Sequence, residues 1–412
     1  MHRRLAFLLS AIILTLAACS PSPTLVPPTS TPVPATATPA PPTPAPTPAS
    51  AALNRVTSVA FVSSTQGWVL GGDCDGSGAS NCSVWATSDG GKTWAQQYRS
   101  PLVLEQVTFL NATTGWVLGR ITNGCSGLTE ACPSAILATT DGGKTWTTRE
   151  PGKIALSHLE FQNSTEGWAL ETTCPAGPNG RCIGDLRKTS DGGATWAASP
   201  IPGVDVTGFS FVGPLHGWAI GWSCAGPTAE RCPLVISATT DGGKNWSRQF
   251  QNEQDYSTIA PRITFANLND GWWLASGPAS CTMGGCWPAL YQTTDGGSLY
   301  RQIKPADRWK TTSEPGYSGF PGTPKFINAS VGWIPINAGA GPGVGGIALT
   351  MDGGKTWARV GANLGWSITG VSAVSAQDVW IVGEQSTPTG SSPLLLHSTD
   401  GGRNWLPELP MP

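Results

Sequence analysis

The stretch Thr139–Trp146, TTDGGKTW, brings together an aspartate, two glycines, a lysine and hydroxyl side chains. At that spacing such residues could cradle a phosphate with backbone N–H groups or offer a carboxylate to a metal ion. Close copies place aspartates at Asp89, Asp141, Asp191, Asp241, Asp295, Asp352 and Asp400, about 50 residues apart. A simpler chemistry also fits each copy. An Asp side chain accepts N–H groups within its own turn, and adjacent glycines supply positive φ without a Cβ clash. Seven such turns spread around a rim cannot aim their acids at one ligand. The acids therefore read as structural turn residues, with no metal and no cofactor implied.

The cysteines form a second recurring set. Cys74 and Cys82, Cys125 and Cys132, Cys174 and Cys182, Cys224 and Cys232, and Cys281 and Cys286 fall two per repeat in the first five repeats. The histidines are His2, His158, His216 and His397, none clustered with these cysteines, so disulfides fit the pairs better than metal sites. Acids outside the turns include Asp73, Asp75, Glu171, Glu230 and Glu384, but no recurring pattern singles out the two facing carboxylates that glycoside hydrolysis needs. Neither Gly-x-Ser-x-Gly nor His-Glu-x-x-His occurs. This pattern favours binding over catalysis.

What must position these residues is a repeat. Before each aspartate turn lies an aromatic-bearing strand with Trp68, Trp116, Trp168, Trp218, Trp272, Trp333 or Trp380, written Gly-Trp in all but the last, which reads Asp378-Val379-Trp380. From Val56 to Tyr98 one unit parses as four short strands joined by turns, the aspartate turn joining the third to the fourth. Seven such units predict an all-β, seven-bladed β-propeller over residues 53–412. Strand direction alternates, so the aspartate turns and the cysteine loops emerge on opposite faces. Trp222 and Trp287 flank cysteine loops, while Arg308, Trp309, Tyr317 and Trp366 lie in connections between repeats, all expected on the cysteine-loop face. Aromatics and Arg there suit a partner surface, or the rings simply fill the loops and the channel mouth.

The ends of the chain carry other information. Residues 1–19 combine His2, Arg3 and Arg4, a short apolar run and Leu16-Ala17-Ala18-Cys19. That is a secretory signal, and its ending resembles the bacterial lipobox, which implies lipidation at Cys19. Residues 20–52 are dominated by Pro, Thr, Ala and Ser, a composition with nothing to bury, and read as a disordered stalk. The expected location is extracytoplasmic, with the membrane reached through the lipid on Cys19. Net charge is −2 with 12% charged residues and no basic run, which excludes a nucleic-acid partner.

The turn pattern Ser/Thr-x-Asp-Gly-Gly-x-Thr/Asn-Trp resembles the Asp-box, or BNR repeat, of sialidases and other propellers. The Arg-Ile/Leu-Pro tripeptide usual in sialidases does not occur. The repeat unit over residues 108–146, TFLNATTGWVLG followed by ILATTDGGKTW, is similar to repeats of the photosystem II assembly and stability factor family. That resemblance implies a single seven-bladed, non-catalytic propeller that docks protein partners. The expected function is thus a membrane-anchored binding or assembly scaffold for an unidentified protein or glycan. The alternative is a carbohydrate-active propeller, hydrolytic or glycan-binding, working through its Trp-rich loop face.

Overall fold

A computed structural model describes residues 55–73, 81–122, 125, 132–173, 183–224, 232–255, 260–275, 289–303, 320–337, 346–360, 367–387 and 390–408. The expected signal (1–19) and stalk (20–52) lie outside them. The described chain is all β: seven antiparallel sheets, each built from consecutive strands, form a seven-bladed propeller. In blade 1 the strands are Val56–Phe61, Gly67–Asp73, Asn81–Thr87 and Ala95–Ser100. Six sheets have four strands. Blade 6 has five, because its innermost strand is broken into Phe320–Pro321 and Lys325–Phe326, both paired with Gly332–Asn337. Pro321 and Pro324 lack the N–H donors that a continuous strand would need there.

Blade packing follows one aromatic rule. The Trp of each second strand lies flat on a Phe from the first strand of the next blade, with centroids 3.5 to 3.7 Å apart, in six of seven interfaces. A third ring, the Trp of the aspartate turn, meets that Phe edge-on in five of them, as Trp146 does on Phe109. These rings are deeply buried; Trp68, Trp168, Trp272, Trp333 and Trp380 have no exposed surface. The glycine before each Trp follows from the same packing. Phe61 sits opposite Gly67, and a Cβ there would lie 2.5 Å from the Phe61 ring.

Blade 7 departs from the rule consistently. Its first strand ends in Ala373 where the others have Phe, and Ala373 pairs with Val379. The missing ring leaves room for a side chain, which is why the seventh repeat reads Val-Trp rather than Gly-Trp. Trp333 of blade 6 packs there in a cluster with Val379 and Ile381. The ring closes between blades 7 and 1 through side chains. Phe61, Trp380, Val69, Val382 and Leu395 share one core cluster, and among the described residues no strand crosses from one blade into another.

Candidate functional site

The aspartate turns are closed hydrogen-bond cycles. In blade 2, Asp141 Oδ1 accepts from the Thr139 hydroxyl at 2.8 Å and from the Thr145 N–H at 2.9 Å, while Oδ2 accepts from the Thr145 hydroxyl at 2.6 Å. Gly142 and Gly143 hold φ of 77° and 88° to complete the turn. The Gly142 N–H donates to the Thr113 carbonyl in the turn between the first two strands, and equivalent bonds recur in all seven blades. Both kinds of turn therefore share a face, as strand alternation requires. Thr145, first through its hydroxyl, holds the Asp141 carboxyl down at about 2. Asp89, Asp241 and Asp400 lie at about 2 for the same kind of reason, and Asp191, despite opposing desolvation, also at about 2. Asp295 and Asp352 are lowered too. In six turns both carboxylate oxygens are spent inside the turn; in the Asp295 turn, where Leu299 replaces the Thr or Asn, the bonds go to Oδ1 alone. The same face also exposes Leu215, Leu268, Leu299 and Met351 in the turns of blades 4 to 6, so it is not purely polar scaffolding.

On the opposite face, two expected disulfides are present, Cys125–Cys132 and Cys224–Cys232, with Cα atoms 5.7 and 4.4 Å apart. Cys82 is disulfide-bonded as well. Cys74, Cys174, Cys182, Cys281 and Cys286 lie outside the described residues, as do Cys19, Trp287, Arg308, Trp309, Tyr317, Trp366, Asp75 and Glu230. Trp222 requires a correction. It is 3% exposed and packs with Leu234 and Trp273 in a core cluster, so its ring is interior and not part of a partner surface. The sequence could not separate these roles, since a Trp at a strand end is equally placed for either.

Three described acids of this face hold arginines. Glu171 accepts from Arg187 Nε at 2.6 Å, Glu384 pairs with Arg55 at 2.8 Å, and Glu105 with Arg120 at 2.9 Å. Burial raises Glu105 despite its Arg120 partner.

A more unusual set lines the axis. First strands are innermost and touch their neighbours around most of the ring. His158 sits on the first strand of blade 3, Leu156–Phe161, at a bulge where the pairing slips between Ala169 and Leu170. It is the one described non-glycine residue with positive φ, 51°. A non-glycine residue held there stores strain of about 1–3 kcal/mol. The ring stands edge-on to Phe209 at 4.9 Å. His158 and Arg262 both keep solvent-exposed surface. Burial first, then the charges of Arg262 and Lys325, hold His158 down at about 4, so its imidazole is neutral at pH 7. Glu160, two residues on, is pushed by burial up to about 7 while accepting from the Phe211 N–H and from Gln162. No signal in the sequence marks His158, because it recurs at no equivalent position in another repeat.

No protein-family model matches this sequence, and no curated protein matches it. Similarity appears among solved structures. The GH74 xyloglucanase from Xanthomonas campestris superposes with a TM-score of 0.53 at 14% identity, over 86% of this chain and 53% of that one. A puromycin hydrolase gives 0.54 at 10% identity, over 87% and 54%. A PL25 ulvan lyase gives 0.52 at 9% identity, over 85% and 96%. This chain thus spans about half the length of the xyloglucanase and the hydrolase. At such identities the likeness is one of fold: the propeller is common to all, and no sequence-family match accompanies the resemblance to photosystem II assembly factors.

Proposed function

We propose that this protein is a non-catalytic binding or assembly scaffold, held on the extracytoplasmic side of a bacterial membrane by a lipid on Cys19 and spaced from it by residues 20–52. Its working face is the one opposite the aspartate turns, and its partner is a protein or glycan. The observation that carries this reading is the commitment of the acids. Six of the seven turn aspartates have both oxygens bonded within their own turns, and among the described acids of the loop face Glu171, Glu384 and Glu105 each hold an arginine. A hydrolytic pair needs one carboxyl free to give a proton and another free to attack or to activate water. Rigid blades with stapled loops suit presentation of a fixed surface instead.

Fold likeness to a xyloglucanase and a polysaccharide lyase favours testing the carbohydrate-active alternative directly. The full chain is expected to turn over no polysaccharide in a panel including xyloglucan and ulvan. Turnover abolished by Glu171→Gln or Glu384→Gln would overturn the scaffold reading. Cys19→Ala is expected to release the protein from the membrane fraction and to end incorporation of labelled palmitate.

A further inference from the structure

The contact between blades 3 and 4 is built differently from its neighbours. Paired strand residues lie on the same side of a sheet, and the register of blade 3 sets Glu160, Trp168 and Lys188 in one row. The stacking Trp therefore has a carboxyl on its inner side and an ammonium on its outer side. Lys188 Nζ lies over the Trp168 ring at 5.1 Å and donates to the Gly242 carbonyl. Glu160 Oε1 accepts from the Phe211 N–H of blade 4 at 2.9 Å and from Gln162 Nε2 at 2.7 Å. Gln162 completes the clasp. It donates to the Phe211 carbonyl at 3.1 Å and accepts from the Gly213 N–H at 2.9 Å.

Other seams do the same work with short neutral groups. The Ser210 hydroxyl accepts from the Phe265 N–H at 3.0 Å, and the Ser372 hydroxyl from the Phe61 N–H at 2.9 Å. The place of Gln162 is apolar in every other blade. The inner strands of blades 3 and 4 also approach less closely than those of blades 4 and 5, so two longer side chains span the gap. A hydroxyl can hold this N–H, so a carboxyl in its place adds a proton-dependent charge to the seam.

We propose that the contact between blades 3 and 4 is a proton-operated joint, which tightens when Glu160 takes up a proton and loosens when it releases one. A proton on Oε2, which makes no hydrogen bond among the described residues, leaves both Oε1 bonds in place and removes the charge. Burial, which disfavours the carboxylate, raises Glu160 to about 7 against the Phe211 N–H, the charge of Lys325 and the Gln162 amide. His158 on the same strand is neutral at pH 7. The other charged groups of the strands around it are engaged: Glu105 with Arg120, Glu171 with Arg187, Lys188 with Glu166, and Asp205 with the Gly184 N–H. A folded value above the ordinary 4.5 means that the contribution of Glu160 is fully present below 4.5 and is lost as pH rises through about 7. The joint is independent of which partner the loop face takes.

Hydrogen exchange of the full chain, read at single amides by fragmentation mass spectrometry and expressed as protection factors, tests this between pH 5 and pH 8. Protection of the Phe211 N–H is expected to fall about tenfold or more as pH rises across that range. The Phe265 and Phe61 N–H groups, held by serine hydroxyls, are expected to keep theirs. Glu160→Gln retains an acceptor that does not titrate, and is expected to leave Phe211 equally protected at both pH values. Glu160→Ser, which copies Ser210 and Ser372, serves as the second variant should Glu160→Gln melt early; its protection is expected to be lower but equally flat. Three results would overturn the proposal: protection at Phe211 in the wild type that is flat or rises with pH, the same fall at Phe265 and Phe61, or a fall at Phe211 that survives in a folded Glu160 variant.

Discussion

Trp380 in blade 7 donates its indole N–H to the carbonyl of Gly90 in blade 1 at 2.9 Å, and this bond closes the ring. The same bond joins five other interfaces, at 2.8 to 3.2 Å, always from the second-strand Trp to the first glycine of the next aspartate turn. The repeated turn is thereby tied to the repeated Trp of the preceding blade. At the third interface the acceptor, the Gly242 carbonyl, is taken by Lys188 Nζ at 3.1 Å, with the ammonium over the Trp168 ring, and the Trp168 N–H has no partner.

That exception gives a differential prediction. Trp380→Phe leaves a buried carbonyl without its donor, which costs about 1–3 kcal/mol beyond the lost ring volume. Trp168→Phe loses only volume and removes an unsatisfied N–H. Urea unfolding is expected to show the Trp380 variant less stable than the Trp168 variant by at least about 1 kcal/mol. Equal losses would mean that the indole bonds contribute nothing to closure.

The Ala373–Val379 pair can be exchanged for the Phe–Gly pair of the other blades. Ala373→Phe alone drives a ring into Val379, an overpacking that costs about 1–3 kcal/mol. Val379→Gly alone opens a cavity and loosens a buried strand. The double variant restores the arrangement of Phe61 over Gly67, so the two changes together are expected to cost less than their sum. A double-mutant cycle by chemical denaturation measures this, and simple additivity would refute the volume argument.

How much of this the sequence revealed depends on repetition. Blade number, strand order and the turn role of Asp141 were legible because each signal occurs seven times at one spacing. The Cys125–Cys132 and Cys224–Cys232 bridges were legible because these cysteines sit at equivalent positions in their repeats. Trp222 was misplaced, since a strand-end Trp gives no sign of which way its ring turns. His158 was invisible for the opposite reason: it is a single departure on an inner strand, marked only by the bulge in its pairing and its positive φ. The Ala373–Val379 substitution lay between these cases. Val379 stood out as a break in Gly-Trp, but its compensation by Ala373 needed the register of the two strands.

Acid sensitivity should arise from the aspartate turns. Asp89 lies at about 2 instead of 3.8, chiefly because the Thr93 hydroxyl and then its N–H donate to the carboxylate. A folded value below the unfolded one means stability that is fully present above 3.8 and is lost as pH falls through about 2. Four other turns share this value, so the losses add. The wild-type urea midpoint is expected to fall steeply below pH 3.8, and Asp89→Asn is expected to lower it at neutral pH while flattening the acid limb. An unchanged acid limb in that variant would remove Asp89 from the account.

The Cys224–Cys232 bridge closes a loop with a sequence separation of 8 residues. In the chain-entropy treatment that closure contributes about 2.5 kcal/mol by restricting the unfolded chain. Replacing both residues by Ser is expected to lower the melting temperature while leaving Trp222 fluorescence blue-shifted, because that ring is held by Leu234 and Trp273 as well. A red shift in the folded double variant would show that the bridge, not the core, keeps Trp222 buried.

His158 offers a test of whether the bulge on the first strand of blade 3 is built for stability. Glycine inside a strand ordinarily costs about 0.5–1 kcal/mol relative to alanine, through the entropy of the unfolded chain. At a φ of 51° the balance reverses, because glycine occupies that region freely while histidine is strained there. The edge-on contact with Phe209 is the packing that His158→Gly gives up. Relief of strain outweighs one edge contact, so the variant is expected to be as stable as the wild type or more so. Stability held or gained would mark His158 as a residue kept against the preference of the backbone. A large loss of stability would instead make the bulge, with its Phe209 contact, a packing feature.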